Sequence, residues 1–313
     1  MLHSLNEPTF SVIIASFNSA KTLRRAIDSI LKQTYVRFEI IVIDDGSKDD
    51  TAKVVAQYDD NVHYFFQDNA GVSAARNHGV MKSSGNWLTF LDADDWYYPD
   101  RLQWHAEIIS ANSDVDFLIG DYHLGTEEGK VINRSMNDTS FGQQLLDAVD
   151  NNGTIFLDKA GLGSLIPSYF GHTTTFTLPR KTFMDLGGYS ESFSIGEDLH
   201  LLIRLCARSN RVGVVCKPMA FYCIHDNGLM RSIGVQSQSK AVDTLLSLKQ
   251  EMYKAAPPIK EGFLKVLLNH RYDWSVSLLK KGNYFGALKV FLPSLFECPS
   301  FKSFKMLLSL MKG

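Results

Sequence analysis

Two carboxylates one residue apart, Asp92-Ala93-Asp94, follow the apolar run from Trp87 to Leu91, and a second acidic pair, Asp44-Asp45, follows the run from Glu39 to Ile43. Paired carboxylates at a strand end can hold a hard divalent cation, which takes oxygen ligands and bridges them to phosphate oxygens. A single acidic turn says little, since such turns often follow strands. Two pairs on one sheet edge say more. They repel one another, so a bound cation or a hydrogen-bonding ligand accounts for them better than two solvated turns do. Further along, Gly196-Glu197-Asp198 opens a helical pattern marked by Leu199, Leu202, Ile203 and Cys206. Acids in a first turn ordinarily complement the helix dipole. With a metal site upstream, one of them can instead take the proton from an attacking hydroxyl. His225 stands alone in Phe221-Tyr222-Cys223-Ile224-His225-Asp226-Asn227. A lone histidine is commonly a surface or core residue, yet imidazole can complete a mixed oxygen and nitrogen shell for manganese.

The elements that must position these groups are legible over the first third of the chain. FSVIIA at 10–15 and EIIVI at 39–43 are continuous β-branched runs of the kind that suit strands buried on both faces. Between them Ala20, Leu23, Ile27, Ile30 and Leu31 recur at helical spacing, with Asn18 and Ser19 as candidate N-caps. The pattern repeats, with a helix over Asp50 to Tyr58, a strand at Val62 to Phe66, a helix from Ser73 and a strand at Trp87 to Leu91. Strands alternating with helices of this length imply a parallel sheet, whose ligands bind beyond the carboxyl ends of the strands. Residues 121–170 yield no firm elements. A strand at Thr173 to Leu178 and a helix from Pro179 to Leu186, stopped by Gly187-Gly188, come next. Beyond residue 236 the chain reads as helices alone, interrupted at Pro257-Pro258, Gly282, Pro293 and Pro299.

In order along the chain, several blocks resemble glycosyltransferase family 2. They are Phe10-Ser11-Val12-Ile13-Ile14-Ala15-Ser16-Phe17-Asn18, Asp44-Asp45-Gly46-Ser47, Gly71-Val72-Ser73-Ala74-Ala75-Arg76-Asn77-His78-Gly79, Asp92-Ala93-Asp94-Asp95-Trp96, Gly187-Gly188-Tyr189, Gly196-Glu197-Asp198 with Arg204-Leu205, and His225. The resemblance covers residues 8–232. It implies the GT-A fold, an α/β architecture with a mostly parallel Rossmann-like sheet flanked by helices, followed here by an all-helical C-terminal appendage. It divides the chain into a catalytic domain at 1–235, with nucleotide-sugar binding at 8–120 and the acceptor side at 121–235, and a helical region at 236–313.

The resemblance also implies roles. Asp44 or Asp45 recognises the base beside Ala15, Ser16 and Asn18. Arg76 and Asn77 lie beside the donor, and Asp92 approaches the ribose or sugar. Asp94 binds Mn2+ or Mg2+, with His225 as a metal or diphosphate contact. Asp198 is the catalytic base and Glu197 its neighbour on the acceptor side. The expected reaction is inverting, metal-dependent transfer of a hexose from a nucleotide sugar, UDP-linked by preference, to the hydroxyl of a glycan, lipid-linked or protein acceptor, in surface polysaccharide or glycoconjugate synthesis. Phe17 replaces the tyrosine that often precedes the asparagine. The QxxRW signature of processive synthases is absent, which favours one sugar per encounter.

Composition agrees with a globular enzyme: 45% hydrophobic and 21% charged residues, without low-complexity tracts. A net charge of -2 gives no reason to expect nucleic acid as a partner. Cys206, Cys216, Cys223 and Cys298 form no CxxC pair and read as reduced thiols. The start, MLHSLNEPTF, has no basic segment followed by a long apolar core, and no run reaches the length of a membrane span. A cytoplasmic protein is expected, with attachment to the inner face of the membrane as the second placement. Lys280 to Gly313 mixes apolar residues with lysines. That suits either a basic amphipathic helix on an anionic membrane or, in the preferred reading, helices packed on the catalytic domain or a second subunit. A nucleotidyltransferase would carry a glycine-rich basic loop where Ser16-Phe17-Asn18-Ser19-Ala20 stands. The non-enzyme alternative is an inactive sugar-nucleotide-binding or scaffold protein on the same fold.

Overall fold

A computed structural model of the chain describes residues 7–58, 61–224 and 234–311. Its first third alternates as the sequence predicts: β1 (Phe10–Ser16), α1 (Leu23–Leu31), β2 (Phe38–Asp45), α2 (Thr51–Val55), β3 (Val62–Gln67), α3 (Val72–Lys82) and β4 (Trp87–Asp92). The four strands are parallel, in the order β3-β2-β1-β4. All residues of β1 but Ala15 are buried, which explains its uninterrupted apolar run. The α1 helix turns Leu23, Ala26, Ile27 and Ile30 inward. On α3, a Cβ built at Gly79 would lie 2.4 Å from Ile13 Cγ2, so only glycine lets this helix approach the sheet so closely.

The chain continues through β5 (Trp96–Tyr97), α4 (Arg101–Ala111), β6 (Phe117–Gly125), β7 (Val131–Arg134), α5 (Ser140–Ala148), β8 (Thr154–Leu157), α6 (Lys159–Ser168), β9 (Thr177–Pro179), α7 (Arg180–Leu186), α8 (Glu197–Arg208) and β10 (Val212–Cys223). The sheet extends as β4-β9-β6-β10-β5, with β7 on β6 and β8 on β10. Here it is mixed. The strands β6 and β10 run parallel, while β9, β7, β8 and β5 pair antiparallel with their neighbours.

Two local expectations are corrected. Asn18 and Ser19 do not cap α1, which starts at Leu23. The Asn18 N–H donates to Ser47 Oγ at 2.8 Å and its Oδ1 accepts the Lys48 N–H at 2.8 Å, while the Ser19 N–H donates to Thr51 Oγ1 at 3.0 Å. These bonds tie the loop after β1 to the loop after β2. The run from Thr173 is not all strand either. Thr173–Thr175 forms a 3-10 turn before β9, because buried Arg101 donates to the carbonyls of Thr174 at 2.9 Å and Phe176 at 3.1 Å and takes them out of any ladder. The stop at Gly187 is as expected, with φ of 77° in the left-handed region.

The described residues fall into two compact units. One comprises 7–158, 168–191 and 209–224, and the other 159–167, 192–208 and 234–311. The second is helical and includes α9 (Val235–Ser247), α10 (Lys249–Met252), α11 (Pro257–Leu279), α12 (Tyr284–Phe291), α13 (Pro293–Glu297) and α14 (Phe301–Met311). Leu268, Phe291 and Leu310 form a core there, supported by Tyr272, Met306 and Leu307. No helix among the described residues is long and apolar enough to cross a membrane. All four cysteines are free.

Within this unit Glu297 accepts from Lys249 Nζ and Arg271 Nη1, each at 2.8 Å, and the Arg271 side chain is nearly buried. Burial opposes ionisation of Glu297, but these two donors outweigh it and hold the carboxyl below its usual range. A depressed carboxyl contributes stability above its unfolded value, about 4.3, that is lost as pH falls through the lower folded value. Glu297→Gln should therefore cost about 1.5–3 kcal/mol near neutral pH and progressively less below about pH 4. Urea titrations of both proteins across that range test this; a gap that does not narrow would contradict it.

Candidate active site

The strand register sets the site. Ser16 pairs with Asp44, Asp45 with Gln67 and Ala15 with Asp92, so the carboxyl ends of the four parallel strands bring these residues to one edge. Ser16 is buried, and its Oγ has no hydrogen-bond partner among the described residues.

Both acids at the end of β2 are buried and held by the protein's own donors. Asp44 accepts the Ser47 N–H at 2.8 Å and the Tyr64 hydroxyl at 2.7 Å. Asp45 accepts Gln67 Nε2 at 2.7 Å and the N–H groups of Ala70 and Gly71 at 2.9 and 2.8 Å. Charge repulsion between the acidic pairs is thus met by internal hydrogen bonds, and these carboxylates fix the loops around the edge.

The α3 helix supplies Arg76 and Asn77. Arg76, almost fully buried, donates Nη2 to Asp92 Oδ1 at 2.7 Å and lies over the Tyr189 ring, 5.1 Å from its centroid. Asn77 accepts the Tyr189 N–H at 2.9 Å and donates to Tyr189 O and Glu191 Oε1, both at 2.9 Å. Its amide staples the turn after α7 and so sets the ring beneath Arg76.

The acidic turn after β4 is clamped from the α1 side. Arg25 donates to the carbonyls of Asp94 at 2.9 Å and Glu127 at 2.6 Å, and its guanidinium lies 4.1 Å from the centre of Trp96. Trp96 stacks in turn on Phe221, at 3.9 Å between centroids. The side chains gathered at this turn are Asp92, Asp95 and His172, each of which offers one ligand atom within 4.8 Å of the others. Asp94 shares the turn but is not in this group, and His225 lies outside the described residues.

The sequence pattern singles out neither Asp95 nor His172. Asp95 is the last residue of the run Asp92-Ala93-Asp94-Asp95. His172 carries no spacing signal, because pairing of β9 with both β4 and β6 is what returns its segment to the site. Its Nδ1 caps the 3-10 turn by accepting the Thr174 N–H at 3.4 Å, and its ring meets Tyr222 edge-on at 4.9 Å.

Burial works against ionisation of Asp92, but Arg76 and then His172 outweigh it and hold its carboxyl below the usual range. Burial pushes the Asp95 carboxyl well above that range, reinforced by the charges of Asp94 and Asp92. Asp95 Oδ1 accepts the Cys223 N–H at 2.8 Å, whereas the buried Oδ2 has no hydrogen-bond partner among the described residues. Two carboxylates and an imidazole, with one buried oxygen unmatched, fit a divalent cation.

In the helical unit, Glu197 and Asp198 form the first turn of α8, half-buried, and Asp198 Oδ1 accepts the Leu199 N–H at 2.7 Å.

The family model for Glycosyl transferase family 2 matches residues 11–176, more than half of the chain. The chain belongs to glycosyl transferase family 2. An uncharacterized glycosyltransferase of Rickettsia felis is 31% identical to this family 2 chain over 203 residues; the match covers 63% of the chain and 31% of that relative's length. Among solved structures, S. aureus TarS 1-349 in complex with UDP-GlcNAc superposes with a TM-score of 0.67 at 19% identity, covering 91% of the chain and 81% of the TarS fragment. The mannosyltransferase PcManGT from Pyrobaculum calidifontis, in complex with GDP-Man and Mn2+, gives 0.60 at 16% identity, covering 97% and 80%. These likenesses show the fold, GT-A, which the family 2 chain shares through its mixed sheet.

Proposed function

We propose that the protein is an inverting, metal-dependent glycosyltransferase acting on a nucleotide-sugar donor. The observation that carries this reading is the convergence of Ser16, Asp44, Asp45 and Asp92 at the carboxyl ends of parallel strands, next to the Asp92, Asp95 and His172 group. Ligands of α/β sheets bind at such an edge. In support, TarS was solved with UDP-GlcNAc and PcManGT with GDP-Man and Mn2+.

On this reading the loops fixed by Asp44 and Asp45, with Ala15, Ser16 and Asn18, receive the nucleotide. Arg76, with Asn77 setting its surroundings, holds Asp92 toward the donor. Asp92, Asp94, Asp95 and His172, with His225 as a further contact, hold the cation, which when bound neutralises charge on the departing diphosphate. Asp198 takes the proton from the acceptor hydroxyl, and Glu197 orients that hydroxyl. The hydroxyl oxygen forms a bond to the anomeric carbon as the bond to the phosphate oxygen breaks, so configuration inverts and a nucleoside diphosphate leaves. A UDP-linked hexose is the preferred donor, and surface polysaccharide or glycoconjugate the product.

Nucleotide release across a panel of UDP-, GDP-, CDP- and dTDP-sugars, with Mn2+ or Mg2+ against EDTA, tests the proposal. Release from one donor that EDTA abolishes and added metal restores is the expected result. Calorimetry on the same panel completes it: donor binding without turnover, even with acceptors supplied, would favour the inactive binding protein. No metal-dependent binding to any donor would overturn the reading.

A further inference from the structure

The helices α12 to α14 have two apolar faces where one is usual. Their inner face is accounted for, since Phe291 and Leu310 are buried against Leu268 with Met306 and Leu307 alongside. The outer face is not. Along α12 and α13 the positions Phe285, Lys289, Leu292 and Phe296 recur at spacings of four, three and four, and all are exposed. Along α14 the same holds for Phe301, Phe304, Lys305, Leu308 and Met311. Phe285 is 81% exposed, and Phe296 and Phe301 are each 85% exposed. Of the eighteen large hydrophobic side chains exposed among the described residues, eight lie between Tyr284 and Met311. Single exposed apolar residues are ordinary on a protein surface, but a concentration of them marks a face that meets a partner.

Charge identifies the partner. Between 280 and 311 the chain carries five lysines, Lys280, Lys281, Lys289, Lys302 and Lys305, all exposed, and one carboxylate, Glu297. That carboxylate is mostly buried and already bonded to Lys249 and Arg271. A symmetric contact with a second copy would set the same patch against itself, lysines against lysines, with no acid of its own segment to meet them. Aromatic and aliphatic side chains interleaved with lysines match instead a surface that offers an apolar interior beneath negative charge. We infer that the outer face of α12 to α14 seats this chain on an anionic lipid bilayer, lying in the headgroup region without crossing it.

The test uses the full chain and needs no sugar donor, so its outcome is separate from that of the transfer reaction. Flotation is measured with vesicles of phosphatidylcholine containing phosphatidylglycerol and with vesicles of phosphatidylcholine alone. Binding is expected to the first and not the second, and to weaken as salt is raised. Lys302→Gln/Lys305→Gln should weaken it about tenfold or more, and Phe296→Ser/Phe301→Ser should abolish it. Melting points of both variants should stay near that of the wild type, because the replaced side chains are exposed. Absence of flotation with the anionic vesicles, or equal flotation with both kinds that ignores the lysine pair, would overturn the inference. So would self-association in sedimentation that Phe296→Ser/Phe301→Ser removes while no vesicles are bound, which would assign the face to a second copy.

Discussion

Asp198→Asn is expected to lower sugar transfer by about a hundred- to ten-thousandfold, the range for loss of a general base, while donor affinity stays as in the wild type. The substitution is nearly isosteric. Its amide oxygen can still accept the Leu199 N–H that Asp198 Oδ1 accepts at 2.7 Å, so that bond in the first turn of α8 is kept. What the amide cannot do is take a proton from the acceptor hydroxyl. The loss should therefore fall on kcat and leave the KM for the donor nearly unchanged. Stability should shift by no more than about 0.5 kcal/mol, since Asp198 is not fully buried. Glu197→Gln provides the comparison: as the orienting neighbour it should cost less, by about tenfold or more. Steady-state kinetics with the donor found in the panel, alongside calorimetry of donor binding, separate these effects. Activity of Asp198→Asn within a fewfold of wild type would move the base elsewhere, and a larger loss in Glu197→Gln would name its successor.

The parts of this site that could be read from the sequence are those whose physical cause is local. β1 and β2 are buried on both faces, so their apolar runs are unbroken, and in a parallel sheet the residues that follow them must share an edge. Asp44, Asp45 and Asp92 could be placed together on that argument alone. The segments that resisted have no such signature. In β7 the side chains of Val131 and Ile132 are exposed, and β8 buries only Leu157, so neither shows the alternation that marks a half-buried strand. β10 is twelve residues long but broken by register shifts around Pro218, and nothing in its sequence announced that it would be the partner of β6, β8 and β5. The threonines at 173–175 favour a strand by propensity, and Arg101 overrides them from a helix more than seventy residues earlier. His172 reaches the acidic turn through the same long-range event. Long-range pairing of this kind leaves no trace in spacing.

The buried donors distinguish what the two acidic turns do. Repulsion between the pairs at the ends of β2 and β4 is a sound reason to look for a positive or hydrogen-bonding partner, but each pair finds a different one. Asp44 and Asp45 find Tyr64, Gln67 and backbone N–H groups, so they fix the loops at that edge. Asp92 finds Arg76, whereas Asp95 keeps a buried oxygen without a hydrogen bond among the described residues. The side chains that fit a cation are therefore gathered at the turn after β4, with His172, and not at the turn after β2.

That division makes Asp92 the residue where structure and chemistry must be separated, and Asp92→Asn should affect both. Its carboxylate takes the Arg76 guanidinium at 2.7 Å, and the Arg76 side chain is only 5% exposed. Weakening one member of such a pair leaves the other charge poorly compensated, so Asp92→Asn should destabilise the protein by about 2–3 kcal/mol in urea titrations near neutral pH. Donor turnover should fall about a hundredfold or more, as when a preorganised polar group beside the reacting centre is lost. The double variant Arg76→Gln/Asp92→Asn distinguishes the two effects. A glutamine facing an asparagine restores a neutral hydrogen-bonded pair, so most of the lost stability should return, with a coupling energy of about 2 kcal/mol. On the proposed reading turnover should not return with it, because neither amide supplies the charge that Arg76 and Asp92 bring to the donor side. If stability and turnover recover together, Asp92 serves only to hold Arg76, and contact with the donor passes to its neighbours Asp94 and Asp95. If turnover stays low in a protein as stable as the wild type, the charged pair of Arg76 and Asp92 serves the reaction as well as the fold.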